Sequence, residues 1–154
     1  MAKKIIWLED EPATIDHDFV APLERRYDFL EVEICQNYSS FFSEIVISES
    51  EGYEILFFII DIRMLLGVGQ GSMECFGKNI PVENDLEAGL EFYTKCLKHN
   101  YPNVEVLFIT SKPKEHLKKD LEKFKISKDI KVYSKDEYEE FLDYIKGVCD
   151  EKCS

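Results

Sequence analysis

Short unbroken apolar runs alternate along this chain with segments of helical periodicity, and that alternation constrains the fold more than any other feature. Lys4–Leu8, Tyr53–Ile60, Val104–Ile109 and Ile130–Tyr133 are rich in strand-forming residues and apolar on both faces, as strands buried within a parallel sheet are. Phe29–Ile34 differs: Leu30, Val32 and Ile34 alternate with Glu31 and Glu33, the pattern of a strand with one wetter face. Helical spacing fills the gaps. Pro12 can open a helix over 13–27 with Ile15, Phe19 and Leu23 on one face. Ser39 or Ser40 can cap a helix that carries Phe42, Ile45 and Val46 and ends near Gly52. Leu86, Leu90, Tyr93 and Leu97 share a helical face, and Leu117, Leu121 and Phe124 follow Pro113 in the same way. Tyr138, Phe141, Leu142, Ile145 and Val148 follow Asp136, which forms a capping-box pattern with Glu139. Five strands alternating with five helices require right-handed crossovers. The expected fold is therefore a doubly wound α/β domain, a five-stranded parallel sheet with helices on both faces.

A chain of 154 residues is the size of one such domain, and no second domain is expected. Its longest apolar run, Ile55–Ile60, is too short to cross a bilayer, and the N-terminus lacks a signal-peptide pattern, so a cytoplasmic protein is expected. A formal charge of −12 argues against a nucleic-acid partner, whose phosphates are bound by lysine and arginine. The basic cluster Lys112, Lys114, Lys118 and Lys119 falls in a helical stretch broken by acids and is read as a solvated face. Cys35, Cys75, Cys96, Cys149 and Cys153 are odd in number and scattered, with no C-x-x-C pair. That spacing predicts reduced thiols rather than a zinc site or a disulfide framework. One irregular stretch, 65–84, holds Gly67, Gly69, Gly71 and Gly77, and loops of this length inside a compact domain are usually functional.

Ligands of an open parallel sheet gather beyond the carboxyl ends of its strands. The polar residues there are Glu9 and Asp10 after the first strand, Asp61 after the third, Thr110 after the fourth and Lys135 after the fifth. Taken singly, each is explained as a turn residue, a helix cap or an exposed lysine. Converging on one rim, they would form a chemical set. Crowded carboxylates need a neutralising partner, and Mg²⁺ with oxygen ligands supplies it while keeping positions open for a phosphate. The lysine and the hydroxyl could hold further phosphate oxygens, as in-line phosphoryl transfer to a carboxylate requires.

The segments KKIIWLEDEP, ILFFIIDIRM, VEVLFITS and IKVYSK resemble, in order, the four signature regions of response-regulator receiver domains. This resemblance implies a flavodoxin-like (βα)5 receiver fold in which Glu9 and Asp10 bind Mg²⁺ and Asp61 accepts the phosphoryl group. Arg63 would offer its backbone carbonyl to the metal, Thr110 the switch hydroxyl and Lys135 the phosphate-binding ammonium. Three departures stand out. Leu65 replaces the proline usual after Met64, and the glycine that starts the third helix is matched by Gly89, so 65–84 is an insertion. Asp136 stands where the family has a cis-proline; a cis bond before any other residue costs several kcal/mol, which favours a loop rebuilt in trans. Val132 occupies the position of the aromatic that moves with the switch hydroxyl, and Tyr133 should face the other way.

The expected function is that of a stand-alone phosphoacceptor receiver, a signalling protein rather than an enzyme. Its donor would be a histidine kinase or phosphotransfer protein, and its downstream partner an unidentified protein. Two other readings remain. One is an adaptor-like receiver that binds a partner regardless of phosphorylation. The other is a small Mg²⁺-dependent phosphohydrolase, although haloacid-dehalogenase phosphatases have Asp-x-Asp where this chain has Glu9-Asp10-Glu11.

Overall fold

A computed structural model describes residues 2–9, 20–63, 72–81 and 87–153. Its strands are β1 (Lys3–Leu8), β2 (Leu30–Cys35), β3 (Glu54–Asp61), β4 (Ser72–Cys75), β5 (Lys78–Pro81), β6 (Glu105–Thr110) and β7 (Lys131–Ser134). Five of them form one sheet in the order β2-β1-β3-β6-β7, with every neighbouring pair parallel. This is the expected doubly wound topology. The direction of winding reverses between β1 and β3, where such sheets open a crevice at their carboxyl ends.

The helices are α1 (Ala21–Arg26), α2 (Tyr38–Ser50), α3 (Ala88–Phe92), α4 (Lys98–Asn100), α5 (Lys118–Lys123) and α6 (Tyr138–Cys153). A π-helical turn, Tyr93–Leu97, joins α3 to α4. Side chains alternate across each strand, so β1 feeds two cores. Ile6 and Leu8 join Phe58, Ile60 and Phe108 under α2 and α3, packed by Phe41, Ile45, Leu90 and Phe92. Ile5 and Trp7 join Phe57, Ile59 and Leu107 under α1 and α6, packed by Leu23, Phe141 and Ile145. Burying each large apolar side chain contributes about 1.5–3 kcal/mol, which is why the β3 run, buried from Leu56 onward, sits at the centre. Among the described residues no helix is long and apolar enough to cross a membrane.

Several local expectations are corrected. Asn37, rather than Ser39 or Ser40, caps α2: its side chain accepts from the Ser40 amide at 2.8 Å, and the helix starts at Tyr38. The capping box before α6 is formed by Ser134 and Glu137, not by Asp136 and Glu139. Of the helix expected over 13–27, the described part is α1 with Leu23 buried, while Ile15 and Phe19 lie outside the described residues.

Within the insertion, β4 and β5 form an antiparallel hairpin closed by Phe76 and Gly77, both at positive φ (49° and 84°). Two successive residues of that kind make the tight turn whose twist matches a hairpin. Glycine adopts it freely, whereas a phenylalanine there is held by its surroundings. The Phe76 ring packs on Phe42 (5.0 Å) and Tyr101 (5.9 Å), and Ile80 packs against the α2–α3 core. The thiol expectation also fails here, because Cys75 is disulfide-bonded to Cys96 in the π-turn. A 21-residue separation carries no disulfide signature in sequence; the pairing arises only when the hairpin lands on the helix. Cys35 does remain a thiol, and burial pushes its pKa up to about 12.

Candidate functional site

Strand register assembles the rim. Leu8 lies beside Ile60, so Glu9 and Asp61 emerge level with one another from adjacent strands. Asp61 lies beside Ile109, and Thr110 beside Ser134, so Thr110 and Lys135 follow one step further on. Of the residues expected at the site, the structure thus brings together Glu9, Asp61, Thr110 and Lys135. Arg63 follows β3 with its side chain exposed, whereas Asp10 lies outside the described residues.

Lys135 is the centre of this arrangement. Its Nζ donates to Glu9 Oε1 at 3.3 Å and to Asp61 Oδ2 at 3.4 Å. Burial works to lower its pKa, but the negative charges of Asp61 and Glu9 outweigh that and hold it above the ordinary lysine value. The ammonium is therefore fully charged at neutral pH. Glu9 and Asp61 are 0% and 3% exposed, a degree of burial carboxylates reach only when paired or metal-bound. The Arg63 amide donates to Asp61 Oδ1 at 3.2 Å, fixing one carboxylate oxygen. Thr110 is buried, and its Oγ1 accepts from the Lys112 amide at 3.0 Å.

The backbone behind Asp61 is fixed by Gly89. Its amide donates to the Ile62 carbonyl at 2.8 Å, and a Cβ built on it would stand 2.2 Å from the Asp61 carbonyl oxygen. Only a residue without a side chain lets α3 start against the Asp61–Ile62 backbone. This is the glycine that sequence matching placed at the start of the third helix.

Lys135 is held without a cis-proline. No described peptide bond is cis, so the Lys135–Asp136 bond is trans. Position is instead set by the capping box: the Ser134 amide donates to Glu137 Oε1 at 3.1 Å, and the Ser134 side chain accepts in return from the Glu137 amide. Lys135 is thereby fixed at the first position of a short 3-10 turn. Sequence reasoning missed Glu137, although Ser-x-x-Glu at 134–137 is the standard signature. Glu137→Ala is expected to lower stability by about 1 kcal/mol. It should also raise the Lys135 contribution to disorder at the rim, seen as faster side-chain motion by NMR. Glu137→Gln, which can still accept from the Ser134 amide, should restore both.

Val132 packs towards the α2–α3 core, while Tyr133 packs on Phe141 (5.6 Å) and Tyr144 on the opposite face. The expected reversal of that pair is found. Among the described residues no three His, Cys, Asp or Glu side chains form a metal cluster, the second acid of the first strand's pair lying outside them. The donors present fit Mg²⁺ rather than a softer ion, because Glu9 and Asp61 offer carboxylate oxygens.

The strand order and the helices on both faces of the sheet give the chain the fold of receiver domains. Solved structures similar to it along nearly the whole length bear this out. A CheY-like response regulator receiver domain protein from Methanospirillum hungatei is 18% identical, with a TM-score of 0.59 over 98% of this chain and 96% of that one. The signal receiver domain of a DNA-binding response regulator from Colwellia psychrerythraea is 13% identical, with a TM-score of 0.65 over 96% and 98%. A response regulator from Thermotoga maritima, solved in complex with Mg(2+)-BeF, is 17% identical, with a TM-score of 0.55 over 94% and 97%. No protein-family model and no curated protein sequence matches the chain.

Proposed function

We propose that the chain is a phosphoacceptor receiver that takes a phosphoryl group onto Asp61 from a histidine kinase or phosphotransfer protein. The observation that carries this reading is Lys135 bridging Glu9 and Asp61 at the carboxyl rim of a receiver fold. An Asp61 oxygen attacks the phosphorus of a phosphohistidine in line, the new P–O bond forms as the P–N bond breaks, and the imidazole leaves with the bond pair. Lys135 pairs with a phosphoryl oxygen, and the Thr110 hydroxyl donates to another. Glu9, Asp10, Asp61 and the Arg63 carbonyl would hold Mg²⁺, which supplies positive charge to the transferring group. The receiver in complex with Mg(2+)-BeF among the similar structures supports this choice of ion.

The direct test is incubation with Mg²⁺ and acetyl phosphate, followed by mass mapping of the added phosphoryl group to Asp61. Mg²⁺ itself gives a second expectation. At a hundredfold excess over its dissociation constant it should stabilise the fold by about 2.7 kcal/mol. Asp10→Ala should abolish that gain in a thermal melt. A melting temperature indifferent to Mg²⁺ in the native protein would remove the metal from the site.

The adaptor reading has one observation in its favour. The aromatic of the usual relay is missing at Val132, and Tyr133 is packed into the other core. Under that reading a partner captured by the protein would bind equally well with and without a beryllofluoride mimic at Asp61.

A further inference from the structure

In the chain the hairpin β4–β5 lies between Arg63 and Glu87. Residues 64–71 connect it to Asp61–Arg63, and 82–86 connect it to Glu87–Gly89, whose glycine amide is bonded to Ile62. One covalent bond fastens it to the body of the domain, Cys75–Cys96. The other anchors named above are weak: ring contacts of Phe76, which is itself half exposed and at a positive φ, and the packing of Ile80. A four-residue by four-residue hairpin has little stability of its own. Whether it stays on the helix therefore depends on the disulfide.

The two sulfurs differ in access. Both cysteines are buried, Cys96 fully and Cys75 to 5% exposure, but Cys75 lines a cleft of about 330 Å³ between the hairpin and the α3–α4 helix. Lys78, Lys95 and His99 line the same cleft, and Lys95 also pairs with Glu91. Among the described lining residues the charged groups are basic, which favours an anionic ligand. Asn100 Nδ2 approaches Cys75 Sγ at 3.8 Å, a donor placed to stabilise negative charge on that sulfur. Thiol–disulfide exchange needs an accessible sulfur, a route for a thiolate and a stabilised leaving group.

We propose that Cys75 and Cys96 form a reversible thiol–disulfide exchange site, read by small anionic thiols such as a cysteine-containing peptide, which fastens or releases the insertion hairpin. A thiolate enters the cleft and attacks Cys75 Sγ. The Cys75–Cys96 bond breaks, its electron pair passes to Cys96 Sγ, and that thiolate takes up a proton. A second thiol then attacks the mixed disulfide at the external sulfur, and the Cys75 thiolate leaves beside Asn100 and is protonated. Two external thiols are oxidised to one disulfide, and two protein thiols form. In a reducing compartment disulfides that do form are mostly transient and redox-sensing, which matches a bond with one sulfur lining a cleft. Cys35, buried and with its pKa pushed up to about 12, takes no part.

The proposal deepens the phosphoacceptor reading by giving the insertion hairpin two states, but the exchange site is tested without it. The native protein is equilibrated in buffers of reduced and oxidised glutathione, then alkylated and mapped by mass spectrometry, with hydrogen exchange followed at 72–81. Expected is reversible opening of Cys75–Cys96 in the folded protein. Amides of the hairpin should exchange on the order of tenfold faster on opening, while those of β3 stay protected. Cys75→Ser should show the fast exchange in both buffers; should it fail to fold, the glutathione series on the native protein decides alone. A bond that resists reduction until the sheet unfolds, or thiols that stay reduced in oxidised glutathione, would overturn the proposal. So would opening that leaves hairpin exchange unchanged. Acetyl phosphate labelling measured in the same samples is independent: its absence in both redox states strikes the phosphoacceptor reading, and hydrogen exchange still decides the exchange site.

Discussion

Asp61→Asn is expected to end phosphoryl labelling while leaving the domain folded. The substitution keeps the shape of the side chain, and an amide oxygen at Oδ1 can still accept from the Arg63 amide now bonded there at 3.2 Å. What it removes is the nucleophile. Loss of a nucleophilic group commonly lowers a rate by on the order of a thousandfold or more, so label should fall below detection. The charge balance at the rim changes as well. Lys135 now neutralises two carboxylates and would retain Glu9, so the variant should need Mg²⁺ less and respond to it weakly. Parallel melts with and without Mg²⁺ and a labelling time course read both effects. Label that persists on the Asn variant would place the acceptor elsewhere and remove the phosphoacceptor reading.

Gly89→Ala is expected to damage the site from behind. Two effects oppose each other. Alanine favours a helix over glycine by up to about 1 kcal/mol. Against that, its Cβ would stand 2.2 Å from the Asp61 carbonyl oxygen and 2.8 Å from the Ile62 Cα, both of them backbone atoms that cannot rotate away. Forced overpacking of this kind costs about 1–3 kcal/mol or more, so the clash wins. For a domain of this size each kcal/mol moves the melting temperature by about 2–4 °C. A drop of several degrees should therefore accompany slowed labelling at Asp61, because relief of the clash must shift either α3 or the acceptor carbonyl. An unchanged melting temperature with unchanged labelling would show that α3 does not press on the acceptor loop.

The two variants differ in how far the sequence announced them. Asp61 stands at the end of the most apolar run in the chain, and a buried strand of that length must deliver its next polar residue to the sheet rim. Glu9, Thr110 and Lys135 were legible for the same reason, since parallel register places successive strand ends together. A parallel sheet covered on both faces followed from the alternation of periods, while its strand order appeared only in the structure. Helix starts were less legible. Asn37 and Ser39 both suit a cap, as do Ser134 and Asp136, and only the direction of chain entry, fixed by packing, selects between them.

What the sequence determined by itself was the sheet, its two covered faces and the acid, hydroxyl and lysine at its rim. These follow from hydrophobic periodicity and strand polarity, which are local along the chain. What only the tertiary structure decided is how distant segments meet. Lys135 is held in trans by Ser134 and Glu137 rather than by a cis-proline. Cys75 meets Cys96 only because the hairpin folds back onto the π-turn. Such pairings depend on three-dimensional approach, and neither cysteine carries a local pattern that signals its partner.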